Sequence, residues 1–384
     1  MSPLRLAIVA GEHSGDQLGF KLMRALRAAT GGDVEFLGVG GEAMEAEGLT
    51  SLFPISDIAV MGVLPVLARL PTLLARIRQT AEAIVAAKPD GLVIIDSPDF
   101  THRVAKRVRA ALPDLRVVDY VSPSVWAWRP GRARKMRAYV DCVLALLPFE
   151  PAAHERLGGP RCVYVGHPLI ERLEELRPSP EEAARRETEP PVVLVLPGSR
   201  RSIVGRVMDD YGAALDLLQQ RAGPLEIVLP TLPHIEAEVR ARSANWRVRP
   251  RIVLGEAAKF AAFREARAAL ASSGTVTLEL ALSGVPMVGA YKVSKLEEQL
   301  KYLISVSSIL LPNLILEERA IPELVQADCT PEKLAGGLAP LLAEGPSCAA
   351  QVEALGRLDA RMALEGGEAP SARAARVVLE TIPH

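Results

Sequence analysis

Short apolar runs alternate with amphipathic stretches along most of the chain. The first run, residues 4–10, is almost wholly apolar, which is typical of a strand buried on both faces of a parallel sheet. The segment after it places Leu18, Leu22 and Leu26 on one helical face. Further strand-like runs, mostly separated by helical segments or turns, follow at residues 34–39, 91–95, 116–121, 142–147 and 162–165. This alternation predicts an α/β fold with a parallel sheet.

The pattern restarts after a segment whose composition shifts to proline, glutamate and arginine. Residues 171–191 contain four prolines and are predicted to link two domains. Strand-like runs then return at 192–196, 225–229, 251–254, 268–271 and 285–291, and from residue 322 the pattern indicates successive helices. The predicted organisation is therefore an N-terminal doubly wound lobe (1–170), a linker (171–191), a second doubly wound lobe (192–345) and C-terminal helices (346–384).

Composition narrows the class of protein. A chain of 384 residues exceeds one typical core and favours two domains, and a net charge of −1 gives no indication of nucleic-acid binding. The four cysteines are scattered without a Cys-x-x-Cys pair, which argues against a metal cluster. The apolar N-terminal run leads directly into a glycine turn, which favours a first strand over a signal peptide. Because no apolar stretch reaches the roughly 18 to 20 residues that span a bilayer, the protein is expected to be soluble or peripheral to a membrane.

The turn at Ser273, Gly274 and Thr275 is the first candidate for chemistry. It lies between a predicted strand and a predicted helix, and ligands of open α/β sheets bind beyond the carboxyl ends of the strands. Free N–H groups at a helix start, together with a glycine that lets a ligand approach closely, suit a diphosphate. Glu279 falls about one turn into the helix, where its carboxylate suits a ribose diol. The alternative is an ordinary N-capped helix that packs on the sheet.

A second turn of the same predicted sheet contains Ser199 and Arg200. It follows the strand at 192–196, and the planar guanidinium of Arg200 suits a phosphate or a carboxylate. Because both turns follow strands of one sheet, we expect them to converge on a single anionic ligand.

Asp96 ends an apolar strand of the N-terminal lobe and is a candidate general base. A carboxylate within hydrogen-bond reach of an attacking hydroxyl accelerates proton removal by about 10²- to 10⁴-fold. A cap for the following helix is the alternative role, and Asp99, directly after Pro98, is the better candidate for that role.

The turn after the first strand contains Glu12, Ser14 and Asp16 between glycines. It offers carboxylates and a hydroxyl at the same predicted edge of the sheet, but neither the Gly-x-Gly-x-x-Gly pattern nor a Walker A motif occurs there. The alternative is a turn in which Ser14 or Asp16 caps a helix.

Two further stretches suit a lipid or a sugar. Trp126 and Trp128 directly follow a predicted strand and precede several arginines, which suits an acyl or sugar pocket near phosphate, or simple packing over a strand end. Residues 60–78 are very apolar and punctuated by arginines, which suits a helix in a membrane interface, with a buried crossover helix as the alternative. The apolar residues assigned to membrane or acyl contact are Met61, Val63, Leu64, Val66, Leu67, Leu70, Leu73 and Leu74.

Together these stretches resemble the lipid-A-disaccharide synthases, inverting glycosyltransferases of family 19 with the GT-B architecture of two Rossmann-like lobes and an interdomain cleft. The block Trp126-Ala127-Trp128 and the turn at 11–16 are specific to that family, whereas the element from Ser273 to Glu279 occurs more widely among sugar-nucleotide transferases. The matching segments are 9–16, 61–62, 95–100, 120–129, 147–150, 165–168, 196–200, 273–279 and 311–313.

The resemblance implies transfer of 2,3-diacylglucosamine from UDP to the 6-hydroxyl of 2,3-diacylglucosamine 1-phosphate, with release of UDP. It implies no metal and no organic cofactor, a cytoplasmic location at the inner-membrane surface, and a homodimer through the C-terminal region. Asp96 is then the base for the acceptor hydroxyl, and Asn313 is a further donor contact. The resemblance also implies that the ribose is bound by Glu279 and that the acceptor is contacted by Glu12, Ser14 and Asp16. The diphosphate is then bound by Ser199, Arg200, Ser273, Gly274 and Thr275.

Two other functions remain open on the residues alone. A GT-B-like sugar-nucleotide epimerase requires more acid and base groups than the single Asp96, and a bilobed sugar-binding protein without chemistry fits poorly with the apolar stretch. One departure from the family pattern is Ile203, which stands where relatives usually have glutamate. This departure puts a carboxylate role at that position in doubt and leaves the role of Arg200 unaffected.

Overall fold

The computed structural model describes residues 3–59, 69–294 and 306–383, and the chain divides into two compact units. Unit 1 consists of Met1–Glu171 and Ala363–His384, and unit 2 of Arg172–Met362. Each unit contains a six-stranded sheet in which every strand pair is parallel. The predicted fold class, two doubly wound parallel-sheet lobes, is confirmed.

The sheet of unit 1 has the strand order β2-β1-β3-β4-β5-β6. Its strands are β1 (Leu4–Ala10), β2 (Val34–Val39), β3 (Gly91–Ile95), β4 (Arg116–Tyr120), β5 (Cys142–Ala145) and β6 (Arg161–Tyr164). The helices that the structure describes up to Glu171 are α1 (His13–Ala29), α2 (Glu42–Ala46), α3 (Leu70–Ala87), α4 (Thr101–Ala111), α5 (Gly131–Met136) and α6 (Glu150–Arg156), with 3₁₀ turns at Ile55–Asp57 and Pro168–Arg172.

Alternate residues of these strands pack into two separate cores. Leu6 and Ile8 belong to one core and Ala7 and Val9 to the other, and all four are fully buried. Successive side chains of a strand point to opposite faces, so a strand covered on both faces is apolar throughout. This packing explains why β3 and β5 are apolar throughout and why β1 is apolar except at Arg5.

The sheet of unit 2 has the strand order β12-β11-β10-β7-β8-β9. Its strands are β7 (Val192–Leu196), β8 (Glu226–Thr231), β9 (Arg251–Leu254), β10 (Ala268–Ser272), β11 (Met287–Tyr291) and β12 (Glu323–Val325). Within the described ranges its helices are α7 (Leu173–Leu176), α8 (Pro180–Arg186), α9 (Arg201–Ala222), α10 (Glu236–Ser243), α11 (Glu256–Glu265), α12 (Thr275–Leu282), α13 (Leu311–Leu316), α14 (Pro331–Leu338), α15 (Pro346–Gly356) and α16 (Leu358–Met362), with 3₁₀ turns at Gln326–Asp328 and Ala339–Leu341.

The segment predicted as a linker, 171–191, is largely helical and, from Arg172 onward, belongs to unit 2. Ser179 and Glu182 form a capping box at the start of α8. The Arg186 guanidinium donates hydrogen bonds of 2.8–3.3 Å to the carbonyl oxygens of Phe263, Arg264, Ser283 and Gly284. Its proline-rich and charged composition is typical of a linker, but these backbone contacts depend on tertiary packing and leave no pattern in the sequence.

The C-terminal part of the chain also differs from the predicted run of helices. Residues 323–325 form strand β12, which is too short to be recognised from its side-chain pattern. The last helix, α17 (Pro370–Thr381), follows a 3₁₀ turn at Glu365–Gly367 and belongs to unit 1, where Ala374, Val377 and Val378 are buried in the core with Ile382. Its apolar face predicts burial, but the sequence pattern does not identify the sheet that it covers.

In each sheet, successive strands are added first on one side of the starting strand and then on its other side, which gives the sheet one reversal point. In unit 1 this point lies between β1 and β3, and in unit 2 it lies between β7 and β10. Turns that leave the carboxyl ends of two such strands diverge and leave a crevice between them, which is the usual ligand position in this class of sheet. Ligand sites are therefore expected at these two points.

Candidate functional site

A cavity of about 410 Å³ lies at the carboxyl ends of the unit 2 strands. The turns after β7, β8, β9 and β10 all contribute to it, as expected at the reversal point of the sheet. The residues that line it are Leu196, Gly198, Ser199, Pro230, Thr231, Leu232, Pro233, Gly255, Glu256, Lys259, Ser273, Gly274, Thr275, Val276 and Glu279. Five of the predicted donor-site residues, Ser199, Ser273, Gly274, Thr275 and Glu279, are therefore brought together.

The turn before α12 presents backbone to this cavity. Gly274 has a φ of +150°, a conformation that side chains rarely adopt, and it directly precedes α12. The Ser273 hydroxyl donates a 2.7 Å hydrogen bond to the Ile309 carbonyl oxygen, and the Thr277 hydroxyl donates a 2.8 Å bond to the Gly274 carbonyl oxygen. The first N–H groups of a helix have no intrahelical acceptor, so the start of α12 offers donors and a partial positive charge to an anion.

An ion pair stands in the same cavity. The Lys259 ammonium nitrogen lies 2.8 Å and 3.0 Å from the two carboxylate oxygens of Glu279. Sequence reasoning found Glu279 but missed Lys259, because Lys259 lies on α11 and only the packing of α11 and α12 brings the two together. The hydroxyl of Thr231 is also buried at this wall without a hydrogen-bond partner among the described residues.

Two predicted donor contacts lie away from the cavity lining. Arg200 is exposed and occupies the N-cap of α9. Asn313 is buried, and its side-chain amide donates to the Ile321 carbonyl and the Glu323 carboxylate and accepts from the Ile321 N–H, at 2.8–2.9 Å. Asn313 thus uses its amide to hold the entry to β12. Ile203, where the family pattern has glutamate, is buried.

In unit 1 the turns after β1 and β3 meet at the reversal point of the sheet. A Cβ atom at Gly11 would lie 2.2 Å from Cβ of Ser97, so the two turns approach closely only because residue 11 is glycine. The Ser14 hydroxyl donates a 3.2 Å hydrogen bond to Oδ2 of Asp96, and the Ser97 hydroxyl donates a 3.3 Å bond to Oε1 of Glu12. Glu12, Ser14 and Asp96 therefore form one half-exposed polar cluster.

Asp96 occupies an uncommon backbone conformation. Asp96 and Ser97 have φ values of 54° and 48°, in the left-handed region that most side chains avoid. Three hydrogen bonds hold the turn: Asp96 N–H to the Tyr120 carbonyl at 3.0 Å, Ser97 N–H to Asp96 Oδ1 at 2.7 Å, and the Thr101 hydroxyl to the Asp96 carbonyl at 2.7 Å. Strain of this kind, held in place by surrounding bonds, is common at functional sites.

Two other carboxylates of this region differ in their surroundings. Asp16 is 1% exposed, and its carboxylate accepts hydrogen bonds from the N–H groups of Gly41, Ala43 and Met44 at 2.8–3.1 Å. It therefore stabilises the start of α2 from within the protein. Asp99 is exposed and lies 3.4 Å from Arg132, and α4 has no side-chain cap.

Trp126 of the Trp-Ala-Trp block contacts a buried glutamate. Its indole N–H donates to Oε1 of Glu150 at 3.1 Å, and the Leu147 N–H donates to Oε2 at 3.0 Å. Burial raises the pKa of Glu150 to about 7, although these two hydrogen bonds oppose the rise. Glu150 thus fixes the position of Trp126, whose ring also meets Phe149 edge-on at 5.1 Å.

The raised pKa of Glu150 predicts a pH-dependent stability. Between pH 4.5, its ordinary pKa, and about pH 7, the folded protein retains a proton that the unfolded chain releases, so the free energy of unfolding falls as pH rises. The loss should be on the order of 3 kcal/mol. In Glu150→Gln this component should vanish when urea denaturation is compared at pH 5 and pH 7. The exposed Glu45→Gln is the control, and parallel pH profiles for the Glu150 variant and the unaltered protein would contradict the prediction.

The apolar segment predicted to contact a membrane is only partly described. Met61, Val63, Leu64, Val66 and Leu67 lie outside the described residues. Leu70 and Leu74, in the first turns of α3, are 39% and 43% exposed, whereas Leu73 is half-buried. Among the helices that the structure describes, none has the length and apolar character needed to cross a bilayer.

Sequence comparisons match nearly the whole chain to one family of proteins. The family model described as lipid-A-disaccharide synthetase matches residues 6–371. A lipid-A-disaccharide synthase from Rhodopseudomonas palustris (strain HaA2) is 55% identical over 379 residues, which cover 98% of this chain and 96% of that protein.

Solved structures show a similar fold at low sequence identity. The glycotransferase of kitacinnamycin has a TM-score of 0.62 at 17% identity and covers 99% of this chain and 100% of its own. The UDP-GlcNAc 2-epimerase from Neisseria meningitidis bound to UDP-GlcNAc has a TM-score of 0.62 at 11% identity and covers 99% of both chains. At these identities the likeness concerns the fold alone.

Proposed function

Because the chain belongs to the lipid-A-disaccharide synthase family, glycosyltransferases of lipid A biosynthesis, we propose that it joins UDP-2,3-diacylglucosamine to 2,3-diacylglucosamine 1-phosphate. The products are the lipid A disaccharide 1-phosphate and UDP. The observation that carries the proposal is the unit 2 cavity, in which a helix start and a carboxylate suit a diphosphate and a ribose.

The cavity supports binding of the UDP sugar in three ways. Its volume of about 410 Å³ lies within the range typical of small-molecule sites. Gly274 lets a diphosphate approach the N–H groups that begin α12, and Ser273 and Thr275 add hydroxyl groups beside them. Glu279 supplies an acceptor for two ribose hydroxyls. Arg200, exposed beside Ser199, supplies positive charge for the leaving diphosphate.

Asp96 is proposed as the general base for the acceptor hydroxyl. Inversion at the anomeric carbon requires one in-line displacement, in which the acceptor 6-oxygen forms the new bond while the UDP oxygen leaves. The proton of the attacking hydroxyl passes to the base. Asp96 is half-exposed, is held in a constrained turn, and is hydrogen-bonded to Ser14, and these properties suit a carboxylate that must keep one orientation. Glu12 and Ser14 are proposed to contact the acceptor.

We also propose that the protein binds the cytoplasmic face of the inner membrane through unit 1, since both substrates carry acyl chains. Exposed Leu70 and Leu74 support an apolar contact. A basic face supports contact with anionic headgroups, because neither α4 nor α5 contains an acidic residue and Lys106 on α4 reaches the Tyr139 ring at 4.9 Å. The basic face consists of the exposed Arg103, Lys106, Arg107, Arg134 and Lys135.

Reversal of charge on the basic face should weaken membrane binding. Each basic residue near an anionic surface contributes about 1 kcal/mol, so Arg134→Glu/Lys135→Glu should lower partitioning onto phosphatidylglycerol vesicles by tenfold or more, roughly. Sedimentation with vesicles measures the effect. The matched control, Arg221→Glu/Lys333→Glu, reverses two exposed cations of unit 2. An equal loss in the control, or no loss in the first variant, would contradict the assignment of this face.

A homodimer through the C-terminal region, residues 322–384, completes the proposal. The exposed Val352 on α15, with 43% of its surface accessible, supports an apolar contact there.

Incubation of the purified protein with UDP-diacylglucosamine and the monosaccharide 1-phosphate tests the function. We expect disaccharide and UDP to appear in equal amounts and only when both substrates are present. Failure to form disaccharide, or to release UDP, would contradict the proposed function. Conversion of the UDP sugar to an epimer in the absence of the acceptor sugar would instead indicate an epimerase, a function that the names of the similar proteins do not support.

A further inference from the structure

The Lys259–Glu279 pair is more sheltered than the other lysine ion pairs of the described part of unit 2. The side chains of Lys259 and Glu279 are 24% and 13% exposed, compared with 26% and 24% for Lys292 and Asp210 and with 54% and 60% for Lys333 and Asp328. Exposed ion pairs are weak and change partners freely, but a sheltered pair with good geometry keeps one arrangement. The orientation of the Glu279 carboxylate is therefore set by Lys259.

Both carboxylate oxygens of Glu279 accept from the same ammonium group, at 3.0 Å and 2.8 Å. A carboxylate has about four acceptor positions, so this bidentate contact leaves capacity on each oxygen for a ligand hydroxyl. The ammonium itself is restricted, because the Phe260 and Phe263 rings lie 4.7 Å and 5.8 Å from it. The carboxylate thus keeps two acceptors side by side, which is the arrangement that two neighbouring hydroxyl groups require.

We propose that Lys259 is a positioning residue that orients Glu279 toward the 2′- and 3′-hydroxyls of the donor nucleotide, so that the cavity selects ribonucleotides over deoxyribonucleotides. This inference rests on the proposed function, which assigns the cavity to a UDP sugar. Lys259 acts through Glu279 and is distinct from the groups assigned to the diphosphate. A direct contact between Lys259 and phosphate is the competing role, and the two roles differ in the part of the nucleotide that each requires.

Calorimetric titration with UDP and 2′,3′-dideoxy-UDP distinguishes these roles. We expect Lys259→Met to weaken UDP binding about 10- to 100-fold, the range for hydrogen bonds to a charged group. Glu279→Gln should cause a similar loss, and the double variant should bind no worse than either single variant, because the two side chains act as one unit. The unaltered protein should bind dideoxy-UDP as weakly as the Lys259→Met variant binds UDP, and Lys259→Met should not weaken dideoxy-UDP binding further.

Two controls separate a binding effect from a folding effect. Lys333→Met removes a lysine ion pair from the surface of unit 2 and should leave UDP binding unchanged. Lys259→Arg retains a cation with several donors and should retain part of the preference for UDP over dideoxy-UDP. Thermal unfolding of every variant shows that the protein remains folded at the titration temperature.

The possible failures are distinguishable. If the unaltered protein does not bind UDP, the proposed function is overturned. If UDP binds but Lys259→Met leaves its affinity unchanged, the role of Lys259 alone is overturned. The same follows if Lys259→Met weakens UDP and dideoxy-UDP equally, since Lys259 would then contact the phosphates or the base.

Discussion

Asp96→Asn is expected to lower kcat by about 10²- to 10⁴-fold while the affinity for UDP stays unchanged. The amide keeps the size of the carboxylate: its oxygen can still accept from the Ser97 N–H, and its NH2 group can donate to the Ser14 hydroxyl, so the turn should persist. What the variant loses is the ability to take a proton from the attacking hydroxyl. The proposed UDP site lies in unit 2, to which Asp96 does not belong, so equilibrium binding should not respond. Turnover and UDP titration on the same preparation measure both effects.

Asp99→Asn is the matched control for this experiment. Asp99 lies three residues away on the same turn, its side chain is 87% exposed, and its ion pair with Arg132 is long, at 3.4 Å. We expect its loss to change kcat by less than about twofold, because an exposed pair of this kind contributes little. Substantial turnover in the Asp96 variant would remove Asp96 from the role of base. An equal loss in both variants would indicate disruption of the turn.

Asp16→Ala is expected to reduce the free energy of unfolding by about 3 kcal/mol or more. The N–H groups of Gly41, Ala43 and Met44 lose their shared acceptor in a place where Asp16 is 1% exposed, so water does not readily replace it. Urea denaturation measures the loss. Asp16→Asn, which keeps one carbonyl oxygen, should fall between the unaltered protein and the alanine variant.

The exposed Asp33→Ala serves as the control for Asp16 and should change stability by less than about 0.5 kcal/mol. The experiment also separates two roles of Asp16. If Asp16 contacted only the acceptor sugar, its substitution would lower the enzyme's activity without lowering the free energy of unfolding. Full stability of Asp16→Ala would therefore restore the acceptor role that its position in the sequence indicated.

The parts of the fold that the sequence predicts are those governed by local pattern. Strands β1, β3 and β7 are short apolar runs because their side chains are covered on both faces, and their ends are marked by the turns at Gly11, Asp96 and Gly198. Since parallel strands direct these ends to one edge of a sheet, the residues after them are correctly identified as neighbours. Ser14 meets Asp96 in this way, and Ser199 shares a cavity with Ser273.

The parts that escape prediction depend on partners that are distant in sequence. Asp16 has the same position in its turn as a ligand-binding aspartate would have, and only the location of α2 beside it shows that its carboxylate accepts hydrogen bonds from protein N–H groups. Asn313 likewise turns its amide toward β12. Lys259 carries no motif, because its partner lies 20 residues away on the next helix. In each case the residue type is informative, but its partner is set by tertiary packing.

The division of unit 1 into two separate stretches of chain has a consequence for folding during synthesis. All of Arg172–Met362 leaves the ribosome before α17 does, so unit 2 has its full set of strands while unit 1 still lacks a part of its core. Ile382 fits so closely against β3 that a Cβ at Gly91 would lie 2.3 Å from its Cδ1, and until it arrives the part of that face not packed against α1 remains uncovered. An uncovered apolar face attracts chaperones and promotes aggregation. The unit that begins first is therefore expected to finish folding last.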